Sequence, residues 1–265
     1  HCFELFAKPN SKVLTLFPTF GMYDVYSKIF RVKQIKIRYD KNLQLDFHKL
    51  LNSIDKKTNL IMIANPNSPT GTIISEKNIF KILRKAKLNN CFVVIDEAYF
   101  GFYKNSSIKF IKKFTNLVVL RTFSKAIGMA GIRAGYIISN KKNIERLYTF
   151  RPMYEISSIS CLAIKEIFKN YGLVKKYITQ TEIGKKYLIN ELRKLDLISF
   201  ETFSNFILVD FKNYTLASKV FNQLNKKNIL SRKAPNIHAC KNSLRFTLGP
   251  KKYMQILIKE IKKLI

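Results

Sequence analysis

Four short apolar runs in the first half of the chain leave little freedom in how it can fold. Lys12–Phe17 (KVLTLF), Asn59–Ala64 (NLIMIA), Cys91–Ile95 (CFVVI) and Leu117–Arg121 (LVVLR) carry Val, Ile and Leu without polar alternation, the pattern of strands covered on both faces. Between the second and third, Ser75–Leu88 opens on a capping serine and sets Ile79, Ile82, Leu83 and Ala86 at helical spacing. Strand, helix and strand in that order make a βαβ unit. The spacing therefore predicts an α/β fold, a mostly parallel sheet sandwiched by helices. Gly131–Ile138 (GIRAGYII) reads as one more strand.

Past Tyr154 the pattern changes to long helices, around Ile159–Asn170 and Leu173–Leu195. A strand at Phe206–Asp210 follows, then a helix near Thr215–Asn225, short strands around Ile229 and Leu244–Thr247, and a closing helix from Pro250. That last helix is expected to bury Ile256, Leu257, Ile261 and Leu264 on one face. The expected division is residues 1–155 as a larger ligand-binding unit and 156–265 as a smaller α+β unit. No flexible linker interrupts the chain, so a long helix is expected to join the two.

Charge raises a competing reading. Forty-eight Lys and Arg against seventeen Asp and Glu give +31, a balance that suits a polyanion-binding protein. The cations are mostly lysines dispersed over the whole length, however, whereas a nucleic-acid footprint clusters on one element or tail. Nucleic acid is thus not the expected partner. No apolar run approaches the roughly 18 residues of a spanning helix, so no membrane partner is expected either. Cys2, Cys91, Cys161 and Cys240 are far apart, as are the three histidines. That spacing predicts no metal site and a reducing, cytoplasmic setting. His1 opens the chain without a start methionine, which reads as a fragment lacking its N-terminus.

Three segments follow directly on the apolar runs, where open α/β sheets place their ligands. The first is Asn65–Gly71 (NPNSPTG), which alone is an ordinary turn. The second is Asp96-Glu97-Ala98-Tyr99, putting a carboxylate at a strand end, where it could equally cap a helix. The third, Arg121–Arg133 (RTFSKAIGMAGIR), packs hydroxyls, glycines, a lysine and an arginine into one stretch. Lys125 is flanked by small and apolar residues, unlike a solvated surface lysine. Such a set suits a phosphate held beside a reactive amine.

Together and in this order, with Pro18–Tyr23 (PTFGMY) upstream and Leu244–Gly249 (LRFTLG) downstream, these motifs resemble the fold-type I pyridoxal-phosphate-dependent aminotransferases, closest to the histidinol-phosphate aminotransferase branch. The resemblance spans essentially the whole chain. It implies pyridoxal 5'-phosphate as cofactor, a homodimer when full length, and an upstream segment carrying part of the phosphate cup.

Site roles follow from the resemblance, residue by residue. Lys125 is implied as the Schiff-base lysine and proton carrier, and Asp96 as partner of the pyridine N–H. Tyr99 is implied as donor to the phenolic oxygen. That oxygen is shared in the family with an Asn directly before Pro-Thr-Gly; here Ser68 stands there and Asn67 one place earlier, so either is a candidate. Thr122, Ser124 and Arg133 match the phosphate-binding positions. Phe20 is the expected ring-stacking aromatic, with Tyr23 as alternative. Arg245 matches the arginine gripping the substrate's anionic group. Arg232 matches a second one, although a plain surface arginine reads as well.

The resemblance points to an aminotransferase of histidine biosynthesis, moving an amino group from histidinol phosphate to 2-oxoglutarate. Threonine-phosphate decarboxylases and aminotransferases of surface-polysaccharide pathways carry the same motifs and stay open as alternatives. The polyanion-binding protein is the competitor from another class.

Overall fold

The computed structural model describes residues 1–233 and 240–265. In chain order the elements are α1 (Cys2–Phe6), β1 (Lys12–Phe17), α2 (Met22–Ile29), β2 (Lys33–Arg38), α3 (Phe47–Asn52), β3 (Thr58–Ala64), α4 (Glu76–Leu88), β4 (Phe92–Asp96), β5 (Leu117–Thr122), β6 (Gly135–Ser139), α5 (Lys141–Tyr148), α6 (Ser158–Lys169), α7 (Tyr171–Lys194), β7 (Ile198–Ser199), β8 (Phe206–Asp210), α8 (Tyr214–Lys226), β9 (Arg232–Lys233), β10 (Ser243–Thr247) and α9 (Lys251–Lys262).

The four apolar runs form β1, β3, β4 and β5 of a six-stranded sheet ordered β2-β1-β3-β4-β5-β6. Every pairing is parallel except that of β5 with β6. Val13, Leu14, Leu16, Leu60, Ile61, Ile63, Val93 to Ile95 and Leu117 to Val119 are essentially inaccessible, because helices cover both faces of the sheet. Ser75 caps α4, accepting from the Asn78 N–H, and Ile79, Ile82, Leu83 and Ala86 are all buried. Truncating one such Leu or Ile to Ala costs about 2–5 kcal/mol.

The chain winds outward from β1 to β2, then returns past β1 to β3. The loops leaving β1 and β3 therefore diverge, and a crevice opens at the carboxyl ends of these two strands. The loops after β4 and β5 reach the same edge.

A second sheet, ordered β7-β8-β10-β9, is antiparallel throughout. The 24-residue α7 leads into it. Leu188 and Leu192 of α7 share a core with Val220 and Leu224 of α8, Ile207 and Val209 of β8, and Leu257 and Ile261 of α9. Gly184 makes this closeness possible: a Cβ there would strike the backbone carbonyl of Gly249, just ahead of α9. Among the described residues no helix is long and apolar enough to cross a membrane.

The sequence expectations need four corrections. The strand read at Gly131–Ile138 begins only at Gly135, since Ala130–Ile132 is a 3-10 turn and Arg133 is left-handed, at φ +52°. Ile229 lies outside a strand, and the pairing residues are Arg232 and Lys233. In α9 the buried face is Met254, Leu257, Ile258 and Ile261, while Ile256 is exposed. Strand β2 (KQIKIR) had no apolar run to announce it. It is an edge strand in which Ile35 and Ile37 pack on the core while Gln34 and Lys36, on the alternate face, bond to Asp24.

Candidate active site

A cavity of about 460 Å³ opens at the carboxyl edge of the large sheet. Its walls come from the loops after β1, β3, β4 and β5 and from two strands of the small sheet, β9 and β10. Residues far apart in sequence meet here because parallel strands end together.

Asp96 closes β4 and lines the cavity. No helix follows it, so it is not a helix cap; its Oδ1 instead accepts from the Ala98 N–H at 3.0 Å within a turn. Its Oδ2 accepts from the Tyr23 hydroxyl at 2.9 Å. Desolvation pushes this carboxyl above its usual range, the two hydrogen bonds pull it back, the Glu97 charge raises it and the Lys125 charge lowers it.

Lys125 sits in the loop after β5, half-buried, with Nζ 5.7 Å from the centroid of the Tyr99 ring. Desolvation lowers its pKa first of all. Arg245, Arg232 and Arg133 lower it further, against the attraction of Asp96. The amine thus has a larger neutral, nucleophilic fraction than a surface lysine. Burial pushes the Tyr99 phenol up, partly offset by a hydrogen bond with Ser68 and by the Arg245 charge.

Thr122 ends β5, and its hydroxyl donates to Ser124 Oγ at 3.0 Å while accepting from the Ser124 N–H at 3.1 Å. Arg133 lies beside them on the cavity wall, with Nη1 donating to the Ala130 carbonyl at 3.0 Å. Its left-handed backbone costs an arginine on the order of 1 kcal/mol or more, and such outliers gather at functional sites.

Arg245 is in the middle of β10 and pairs in register with Arg232 of β9, so both guanidinium groups reach the cavity. Arg245 also lies 4.9 Å from the centroid of the Phe206 ring, and desolvation lowers its pKa.

Two of the alternatives left by the sequence part company here. Phe20 lines the cavity and is 49% exposed, whereas Tyr23 is 3% exposed and sits behind it, edge-on at 5.7 Å. Tyr23 is a hydrogen-bond donor to Asp96 and forms no part of the cavity wall. Ser68 lines the cavity, and Asn67 does not. The Asn67 amide is fully buried, donating to the Pro18 carbonyl at 2.9 Å and to Thr70 Oγ1 at 2.7 Å and accepting from Thr19 at 2.7 Å. It ties the loop after β3 to the loop after β1.

One charged lining residue was given no role by the sequence reading. Arg121 faces the cavity from the end of β5, stacked 3.3 Å from the Phe100 centroid and paired with buried Glu97 at 3.0 Å. Glu97 also accepts from Ser106 and from the Ser107 N–H. The signal was there in two charges placed at the ends of apolar strands, Glu97 just past β4 and Arg121 on β5. Lys125 and the other three arginines are thus left facing, among the described residues, a single lining carboxylate, Asp96. Such a set takes a ligand with more than one negative charge.

Comparisons with known proteins give the family. The family model of aminotransferase class I and II matches residues 1–261. The chain is 36% identical over 246 residues to a histidinol-phosphate aminotransferase of Clostridium novyi, covering 92% of this chain and 67% of that protein. Its fold is similar to the crystal structure of the histidinol-phosphate aminotransferase from Clostridium acetobutylicum, with TM-score 0.88, 25% identity, and 96% and 78% of the two chains covered. It is also similar, at TM-score 0.77 and 23% identity, to an L-threonine-O-3-phosphate decarboxylase from Porphyromonas gingivalis, over 96% and 76% of the chains. At that identity the likeness concerns the fold alone.

Proposed function

The chain belongs to aminotransferase class I and II, and from that premise we propose that its cavity binds pyridoxal 5'-phosphate and transfers an amino group from histidinol phosphate to 2-oxoglutarate. The observation that carries this reading is the convergence of Lys125, Asp96, Tyr99, Thr122, Ser124 and Arg133 on one cavity. The donor set fits the cofactor. Two hydroxyls and a guanidinium suit a phosphate, a desolvated carboxylate suits a ring N–H, and a half-buried amine suits an aldehyde.

When bound, pyridoxal 5'-phosphate supplies the aldehyde that takes up the amino group and the ring that draws off the electrons released at the donor's α-carbon. Lys125 Nζ, biased toward its neutral form, takes the α-proton and returns it on the other side of the transfer. Asp96, a desolvated carboxylate, would hold a proton on the ring nitrogen through a charge-assisted hydrogen bond. Thr122, Ser124 and Arg133 would hold the phosphate, Phe20 would offer an aromatic face to the ring, and the Tyr99 hydroxyl and Ser68 would offer hydrogen bonds to its phenolic oxygen. Arg245 and Arg232 hold the anionic ends of donor and acceptor.

Histidinol phosphate is favoured because the curated relatives matching at 32–36% identity carry that name and two arginines remain for a doubly charged substrate. On this reading the chain works in the cytoplasm as a homodimer, with residues 1–155 carrying the cofactor and 156–265 forming the smaller unit. The dispersed +31 charge is then surface chemistry rather than a polyanion site.

Absorption of the purified protein with added pyridoxal 5'-phosphate tests the reading. A visible band that shifts on adding histidinol phosphate, with glutamate formed from 2-oxoglutarate, is expected. Carbon dioxide release from threonine phosphate without amino transfer would replace it by the decarboxylase reading. Failure to take up cofactor, with salt-dependent retention on a polyanion, would favour the third.

A further inference from the structure

Asp96 is met from behind by a residue that the proposed reaction does not use. Tyr23 enters from α2, 73 positions earlier in the chain, and its hydroxyl is the one side-chain donor to Asp96 among the described residues. The backbone N–H of Ala98 takes the other oxygen. Tyr23 is 3% exposed and no part of the cavity wall, whereas Asp96 lines the cavity, so the phenol reaches the carboxylate from its buried side.

We infer that Tyr23 is a positioning residue: its hydroxyl, donated to Asp96 Oδ2 from the buried side, holds that carboxylate charged and aimed into the cavity. The inference rests on the proposed pairing of Asp96 with the cofactor ring.

The surroundings of Asp96 make the bond consequential. Cys2 of α1, Glu97 and Tyr99 of its own loop, Tyr23 of α2 and Lys125 of the loop after β5 all act on it or feel its charge. Cys2, pushed up to about 11, is neutral at ordinary pH. Glu97 is committed to Arg121 and its charge works against ionisation of Asp96; Lys125, the one cation, is itself biased toward neutrality. The hydrogen bonds of Tyr23 and Ala98 are therefore what oppose desolvation. Burial and the carboxylate itself push the Tyr23 phenol well above its ordinary range, so it keeps its proton and remains a donor at every working pH.

Tyr23→Phe removes one oxygen and leaves the ring packed against Phe20. In cofactor-free protein labelled with 13C-aspartate, the Asp96 carboxyl signal, assigned by its loss in Asp96→Asn, should titrate at higher pH in Tyr23→Phe than in the parent. 3-Fluorotyrosine placed at position 23 keeps the shape and strengthens the donor, and it should move the midpoint the opposite way even if Tyr23→Phe folds poorly. In the loaded enzyme Tyr23→Phe should lower turnover on the order of 10-fold, the scale of one hydrogen bond to a charged group, with KM for the amino donor unchanged. The same change in an Asp96→Asn background should cost nothing further. An unmoved Asp96 titration, or a Tyr23 effect that persists in full without the carboxylate, overturns the inference. Normal turnover in Asp96→Asn alone would instead fail the proposed pairing with the cofactor, and the catalytic part of the inference with it, whatever the titration does.

Discussion

Arg245 and Arg232 stand directly opposite one another on adjacent antiparallel strands, a placement that sheets ordinarily avoid because like charges across a pair repel. Among the described residues of the cavity wall no acidic side chain separates them, and Asp96 is the lone carboxylate. An anion bound between them converts the repulsion into two attractions.

The thermal midpoint should accordingly rise when inorganic phosphate or 2-oxoglutarate is added, and rise less in Arg245→Gln. KM for the anionic substrate should increase roughly 10- to 100-fold in Arg245→Gln, the range for a lost hydrogen bond to a charged group. Arg232→Gln, at an exposed position, should have a smaller effect and should not lower the stability of the free protein. Steady-state kinetics and melting curves on the two variants check this. Equal KM in all three proteins would remove both arginines from the substrate site.

Lys125 should carry the covalent label after borohydride treatment of the cofactor-loaded protein, and Lys125→Ala should carry none. Its pKa is lowered by burial and then by the arginines, so the neutral amine appears, and activity climbs, at lower pH than for an ordinary lysine. Taking away the Arg245 charge raises the lysine pKa. The acid limb of the pH–rate profile should therefore move to higher pH in Arg245→Gln, and an unmoved limb would separate it from Lys125.

Asn67 and Ser68 should respond in opposite ways. Asn67→Ala strips three hydrogen bonds from a fully buried junction and should cost about 1–3 kcal/mol of stability, measured by denaturant unfolding. Ser68→Ala should leave stability nearly unchanged and shift the absorption maximum of the loaded protein. A stable Asn67→Ala with an altered spectrum would put the asparagine back in the cofactor site.

Glu97→Ala should destabilise the fold by up to about 3 kcal/mol, because it leaves the largely buried Arg121 guanidinium without its counter-charge. Replacing both partners by apolar residues should recover most of that loss. Unfolding curves for Glu97→Ala and for the Glu97→Leu, Arg121→Met double variant test whether the pair is structural. If the single and double variants were equally unstable, the desolvated charge would not be the cause.

The large sheet was legible in the sequence because β1, β3, β4 and β5 are buried on both faces along their middles, and such strands read as near-continuous apolar runs with polar residues mainly at their ends. The same holds for α4, whose capping serine and apolar spacing are local properties. Strand β2 was not legible. An edge strand needs only one apolar face: Ile35 and Ile37 supply it, and the alternate positions Gln34, Lys36 and Arg38 are free to be polar. In α9, one residue of helical phase separated the expected face at Ile256 from the actual one at Met254 and Ile258, and only packing against α7 and α8 decides the phase.

Within the site, the chain itself determined which residue types occur and at which strand ends they stand, hence Lys125, Asp96, Tyr99, Thr122, Ser124 and Arg133 as a group. Which of two neighbours faces the cavity was left to the tertiary structure. Asn67 and Ser68, or Phe20 and Tyr23, differ by a turn of backbone whose direction is set by hydrogen bonds to partners many residues away: Pro18 and Thr19 for Asn67, Asp96 for Tyr23. The Arg121–Glu97 pair and the juxtaposition of Arg232 with Arg245 belong to the same class, since strand register brings together charges that the linear order keeps apart.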